Sequence, residues 1–303
     1  MSDSQTIQAL LNEVATGSFV DIPPAPYIID TPLIIDFGTQ VEGGGFSGKG
    51  VTLISTITNG APLLTIKVAA NRYIRGFDFY KLRMQGSGTD GHGLFLDLSG
   101  GSAIRGDFYN FSFQDWMIEG FGGDGVNAQG SIFEGFFKNV RSRGNKGNGA
   151  TLGSNGGVMS TMAWEHGSLG QNGKSGASLV GEAYDVKFSE TYFLENGGPG
   201  IACPNGVSLV KGGGFENNQQ SLAAGSVGPA VQGQNFGTFI GTTCGQENGK
   251  QTTMLNGFYL VSKLTLVGCQ GVSGTVNGAG VVNQIGCGGS LIAGNGNVHI
   301  ENL

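Results

Sequence analysis

Charge is scarce in this sequence. Asp, Glu, Lys and Arg together make up 13% of 303 residues, and 22 acidic residues outnumber 16 basic ones for a net charge of −6. A groove that holds a phosphate backbone needs a stripe of Lys and Arg, and none is present, so nucleic acid is not an expected partner. Long apolar runs are missing too, since no stretch approaches the ~18 residues of a membrane-spanning helix, and membrane insertion is not expected. Residues 1–6 (Met1-Ser2-Asp3-Ser4-Gln5-Thr6) show neither a basic n-region nor an apolar h-region, so no signal peptide is visible. Cys203, Cys244, Cys269 and Cys287 are the only cysteines. No two form a CxxC pair, which argues against zinc and leaves buried free thiols as the expectation. Of three histidines, His92 sits in a glycine-rich turn and His299 near the end, neither with metal-ligand company. No metal and no cofactor is expected.

Glycine is abundant, at 58 residues. Collagen is excluded because there is no three-residue period. Apolar runs such as residues 31–37 recur throughout, so the glycines read as tight turns between short strands. Gly followed by alternating apolar positions returns at Gly93, Gly125, Gly149, Gly176, Gly200, Gly228, Gly257 and Gly280, in steps of 32, 24, 27, 24, 28, 29 and 23. A second column, Asn145, Asn172, Asn196, Asn217 and Asn248, follows the middle strand of each coil. Asparagine tolerates the left-handed backbone of a sharp turn, and stacked asparagines can hydrogen-bond along the column. Such a period leaves no room for a crossover helix, and the L-x-x-L-x-L-x-x-N signature of leucine-rich repeats is absent. The reading is an all-β solenoid, a single-stranded parallel β-helix of roughly ten coils with two or three strands each, about 50 Å long at the usual strand spacing.

The first residues read as a cap. Ile7, Leu10, Leu11 and Val14 lie on one face of a helix, with Ser4 a candidate N-cap and Gly17 as the stop. Residues 1–18 are therefore taken as a capping segment and 19–303 as the β-helix domain. Strands are expected at 19–22, 27–29 and 33–36.

Four segments carry a family resemblance: Thr6-Ile7-Gln8-Ala9-Leu10-Leu11, Gly17-Ser18-Phe19-Val20-Asp21-Ile22-Pro23-Pro24, Tyr27-Ile28-Ile29-Asp30-Thr31-Pro32-Leu33 and Val41-Glu42-Gly43-Gly44-Gly45. Together they resemble the opening of the pectate lyase-like superfamily, and Thr89-Asp90-Gly91-His92-Gly93-Leu94 resembles a loop-to-strand entry found there. The resemblance implies a right-handed helix acting on carbohydrate. In style it is most similar to phage tailspikes and tail-associated depolymerases. That implies a homotrimer on a virion or otherwise outside the cell, with a bacterial surface polysaccharide and other tail proteins as partners. The aspartate cluster of a calcium-dependent pectate lyase is not evident, because Asp107, Asp115 and Asp124 are dispersed.

Glycan hydrolysis needs two carboxylates flanking the bond. Positions about 24 apart meet on adjacent coils, so the asparagine register puts His166 over Glu190 and Glu190 over Lys211. The preferred patch is Glu165 and Glu190 as acid and base with His166 tuning them. Trp164, Lys211, Lys138 and Arg141 would bind the glycan, with Arg143 nearby. The bland alternative is a solvated ladder of charges, with Trp164 in the core. Second-choice carboxylates are Glu195, Glu216 and Glu247, and a third group is Asp115 and Glu119 beside Trp116. Three functions follow: a virion-associated glycoside hydrolase, a non-catalytic receptor-binding spike or adhesin, and a secreted polysaccharide lyase or uronate epimerase.

Overall fold

The computed structural model describes residues 1–69, 72–98, 107–153, 157–180, 182–203, 209–221, 228–233, 237–245, 251–255, 258–260 and 263–303. The chain winds as a right-handed parallel β-helix with three strands in a typical coil. One coil runs Ser131–Lys138, Arg141–Arg143 and Ala150–Leu152, and the next runs Val158–Glu165, Ser168–Gly170 and Ala177–Leu179. The first two strands of each coil, called here the first and second faces, join one 20-stranded sheet, and the third strands form a separate 9-stranded sheet. Among the described residues the third face has nine strands, beside the roughly ten coils expected.

Alternation drives each strand. In Leu33–Phe37 the first, third and fifth residues are buried and the other two exposed. On the third face Leu33, Leu64, Leu94, Val126, Ala150, Ala177 and Ile201 fall into one inward register. On the first face Phe79, Phe113, Phe137 and Trp164 stack coil upon coil, with ring centroids 4.9, 5.3 and 4.6 Å apart and planes within 15°. Each such ring contributes about 1.5–3 kcal/mol through burial, and offset stacking adds about 0.5–1.5 kcal/mol. Trp164 therefore belongs to the core. It is 2% exposed, and its Nε1 donates to the Val140 carbonyl at 3.2 Å. The expectation that it stacks on a sugar is corrected.

The capping helix spans Asp3–Val14 and buries Ile7, Leu11 and Val14 over the first coil. Its N-cap is Ser2, in a reciprocal box with Gln5. Ser4, expected to cap, is buried instead, and its Oγ donates to Asp30 Oδ1 at 2.6 Å, tying the helix to the first coil.

The asparagine column is real, with one correction. Asn145 Nδ2 donates to Asn172 Oδ1 at 2.9 Å, Asn172 Nδ2 to Asn196 Oδ1 at 3.0 Å, and Asn196 Nδ2 to Asn218 Oδ1 at 2.8 Å. The fourth member is Asn218, not Asn217. Asn217 takes the left-handed turn position at φ +50°, in line with Gln171 and Glu195 at φ +57° and +53°. Asn248 lies outside the described residues.

The glycine column has a different cause from the one expected. Gly149 and Gly176 are not at positive φ. A Cβ on Gly149 would lie 2.6 Å from the Gly176 carbonyl and 2.7 Å from the Asn172 amide nitrogen. These glycines make room for the asparagine ladder. The column also slips further on: Ile201 pairs with Val231, two residues beyond the partner that aligning Gly200 with Gly228 implies. The next third-face strand is Gln251–Leu255. Phe258–Leu260 pairs instead with Val276–Gly278 in the larger sheet, and Gly280 pairs there with Val298. Gly257 itself lies outside the described residues. Among the described residues no helix is long and apolar enough to cross a membrane.

Candidate functional site

The second face is a narrow track. Its strands Arg141–Arg143, Ser168–Gly170, Tyr192–Leu194 and Gly214–Glu216 are only three residues long. A short strand exists here because a left-handed residue bends the chain at each side. Asn139, His166 and Glu190 (φ +51°, +53° and +48°) form one lip, and Gln171, Glu195 and Asn217 form the other. From His166 to Gln171 is five residues, a span on the order of 16 Å. In each strand the middle residue, Ser142, Leu169, Phe193 or Phe215, turns into the core; the flanking positions are open except at Gly170 and Gly214, which are buried.

Small outward residues create a depression along this track. Ser168 and Gly170 lie between the arginines of the coil before and Tyr192 and Leu194 of the coil after. The hollow of about 260 Å³ is walled by Arg143, Gln171, Leu194, Glu195 and Glu216. It continues over the lip into a hollow of about 440 Å³ at Gln171, Glu195, Asn217 and Gln220. It continues along the axis into one of about 140 Å³ that includes Tyr192, Leu194, Glu216 and Gln270. Tyr192 is 48% exposed, so its ring is open to a ligand.

Charge is arranged with a purpose at the N-terminal wall. Glu119 accepts hydrogen bonds from Arg143 Nε at 3.1 Å and Nη2 at 3.0 Å, and from Arg83 Nε at 3.1 Å. Burial pushes the Glu119 carboxyl up, but the hydrogen bonds and charges of Arg83 and Arg143 outweigh it and hold it below the usual range. Glu119 is thus a fixed anion that holds Arg143 in the wall of the hollow, and it is poorly suited to act as a proton donor. On the opposite wall Glu195 Oε2 accepts from Gln171 Nε2 at 2.9 Å. Glu195 N donates to the Glu216 carbonyl at 2.8 Å, so the two glutamates adjoin.

The residues singled out in the sequence are distributed as follows. Lys138, Glu165, Ser189 and Lys211 occupy one outward column at the end of the first face. His166 and Glu190 occupy the neighbouring lip, where each N–H bonds to the next coil. Glu165, His166 and Glu190 therefore share one edge. Lys211 registers with Ser189 rather than Glu190, a slip of one, and the residue below Glu190 is Gly212. The Glu190 carboxylate folds onto it, 2.2 Å from where a Cβ on Gly212 would stand. Arg141 stands on the track between Met117 and Ser168. Glu195 and Glu216 are offset by one position, Leu194 being the register partner of Glu216, yet they line one hollow. Glu247 lies outside the described residues. In the third group Trp116 is buried with Nε1 bonded to the Phe79 carbonyl at 3.0 Å, and Asp115 accepts from Asn139 Nδ2 at 2.7 Å. What sequence reading missed is Gln171 and the Ser168/Gly170 floor. That floor shows only once the register sets this coil between Arg141 and Arg143 on one side and the exposed Tyr192 on the other.

No family model matches the chain, and no curated protein matches it in sequence. Solved structures do. ORF18 of Geobacillus virus E2 superposes with a TM-score of 0.61 at 14% identity, over 99% of this chain and 59% of that one. The Agl-KA catalytic domain gives 0.55 at 11% identity, over 99% and 66%. The Streptococcus pneumoniae surface protein and adhesin PfbA gives 0.50 at 11% identity, over 100% and 94%. The chain thus spans about 59% of the length of the virus protein. At these identities the likeness establishes the fold alone, a right-handed parallel β-helix.

Proposed function

We propose that the chain binds and cleaves a bacterial surface polysaccharide along the second face. The observation that carries this is the open hollow walled by Glu195, Glu216 and Arg143, with Tyr192 exposed further along the same track. An extended groove suits a polymer better than a closed pocket does. Glu195 and Glu216, which line one hollow, are the two carboxylates that hydrolysis needs. One protonates the leaving oxygen, and the other activates a water or attacks the anomeric carbon. Arg143, held in the wall by Glu119, binds hydroxyls or an acidic group of the sugar. Tyr192 offers a ring face for a pyranose. A location on a virion or otherwise outside the cell, as part of a homotrimer, belongs to the same proposal. It is supported by the likeness in fold to a virus protein and by the tailspike-like opening of the sequence.

The test is incubation with a panel of capsular and O-antigen polysaccharides, following chain length and new reducing ends. Glu195→Gln and Glu216→Gln are expected to lower the rate by roughly 10²–10⁴-fold while leaving binding intact. Glu165→Gln and Glu190→Gln are expected to keep activity. The reverse pattern moves the chemistry to the other lip. Binding without shortening across the panel makes the chain a receptor-binding module, and unsaturated uronate absorbance makes it a lyase.

A further inference from the structure

Cys269 and Cys287 occupy equivalent positions of successive coils. The register is fixed on both sides of them. Val267 pairs with Ile285, and the Gly288 N–H donates to the Cys269 carbonyl at 2.8 Å. Neighbouring strands stand about 4.8 Å apart. That separation lies inside the Cα–Cα window of about 4.4–6.8 Å that a disulfide tolerates.

The two thiols also adopt the same orientation. Cys269 Sγ lies 3.6 Å from the Val267 carbonyl, and Cys287 Sγ lies 3.6 Å from the Ile285 carbonyl. Each thiol reaches back two residues, to carbonyls that are themselves register partners. On earlier coils the same turn position holds Thr191 and Thr242, whose hydroxyls bond the Trp164 and Gly212 carbonyls. Sulfur thus replaces oxygen where two coils in succession can use it. Cys269 is buried and Cys287 half-buried, so only one of the pair is open to a reagent. Burial pushes the Cys269 thiol up, with the adjacent Cys287 thiol among the smaller causes.

We propose that Cys269 and Cys287 form a disulfide that staples the last two coils when the protein meets a small-molecule disulfide outside a reducing compartment. The half-buried Cys287, as thiolate, attacks one sulfur of oxidised glutathione. A mixed disulfide forms, and one glutathione thiolate leaves. Cys269 gives up its proton and attacks the Cys287 sulfur, expelling the second glutathione. Two cysteines are oxidised and one glutathione disulfide is reduced to two thiols, which take up the two protons. The bond closes one coil. It encloses the strand Val272–Ile285 in a covalent loop just ahead of Gly289–Asn302.

The experiment uses the full chain, reduced and then exposed to oxidised glutathione. The expected product is about 2 Da lighter than the reduced protein. Peptide mapping is expected to join Cys269 to Cys287, with Cys203 and Cys244 still alkylated once the protein is denatured. Cys269→Ser removes the resolving sulfur and is expected to hold a glutathione adduct of about 305 Da on Cys287. Cys287→Ser is expected to form no link and to carry no adduct on the buried Cys269. A stable adduct on the unmutated chain without closure, a link between any other pair, or no mass change at all overturns the proposal. A Cys203→Ser/Cys244→Ser variant keeps the outcome readable, since it is expected to lose the same 2 Da or so through the remaining pair.

Discussion

Arg143 reaches back one coil and places Nε and Nη2 within 3.1 and 3.0 Å of a single oxygen of Glu119. Arg83, one coil further back, holds the other oxygen. Three successive coils are thus pinned by one carboxylate on the outer surface, next to the hollow that Arg143 walls.

The first prediction concerns that triad. The Glu119 pKa is lowered in the folded state, so its stabilising contribution is fully present above the ordinary carboxylate range. It is lost as pH falls through the lower folded value. The two guanidiniums are half exposed, so screening limits the contribution to about 1 kcal/mol, or about 2 °C in Tm. Glu119→Gln should melt below the unmutated chain at pH 7, and the gap should close at pH 3. A constant gap across that range would remove the ion triad as its cause.

The second contrasts two glycines. Gly149→Ala forces a Cβ against the Gly176 carbonyl and the Asn172 amide, although its backbone angles are ordinary. Gly241→Ala meets nothing within 4 Å, but its φ is +59°. The second substitution should cost about 1–2 kcal/mol. The first should cost more, because backbone and ladder must both shift. Equal losses in denaturant unfolding would contradict the steric account.

A third concerns the ladder. Asn172 both donates to Asn196 and accepts from Asn145 in a dry environment. Asn172→Ala strands partners on both sides, at about 1–3 kcal/mol for each buried group left unsatisfied. Asn172→Asp should be worse still, since a carboxylate keeps the acceptor, loses the donor and brings a buried charge. Hydrogen exchange at the Asn145 amide, which donates to Asn172 Oδ1, should rise in Asn172→Ala.

The fourth concerns His92. Burial pushes its imidazole pKa below the usual 6.5, against a smaller pull upward from Asp124. Its Nδ1 accepts from the Asp124 backbone N–H at 3.0 Å, which requires the neutral ring. Stability should therefore be intact above pH 6.5 and decline as pH falls through the lower folded value. An NMR titration of the His92 ring should place its midpoint below the usual 6.5.

Much of this was legible in the chain itself, for identifiable reasons. The coil rhythm was visible because Asn145, Asn172 and Asn196 must recur where their amides stack, and Gly149 and Gly176 must recur to make room for them. The ladder's fourth member was misread because Asn217 and Asn218 are adjacent: one takes the left-handed turn and the other turns inward, and the spacing does not say which. The same one-residue ambiguity put Lys211 under Glu190. Trp164 was legible as an aromatic but not as a buried one, since the bend at His166 resets which side faces in. Glu195 and Glu216 stood out for preceding asparagines, but their hollow depends on Ser168 and Gly170 being small one and two coils away. No local pattern in the sequence records that.

The track on the second face has a length set in whole steps. Each coil adds one outward pair and one rung of about 4.8 Å, and solenoid units touch only their neighbours. Its reach is therefore a matter of integers. Inserting or deleting one coil would lengthen or shorten the surface by one unit without changing the cross-section. A polymer of repeating sugars is likewise counted in units. The fold thus offers a ruler whose graduations are rungs, and the order of side chains along it, Met117, Arg141, Ser168, Tyr192, Gly214, is the sequence of marks against which such a polymer would be read.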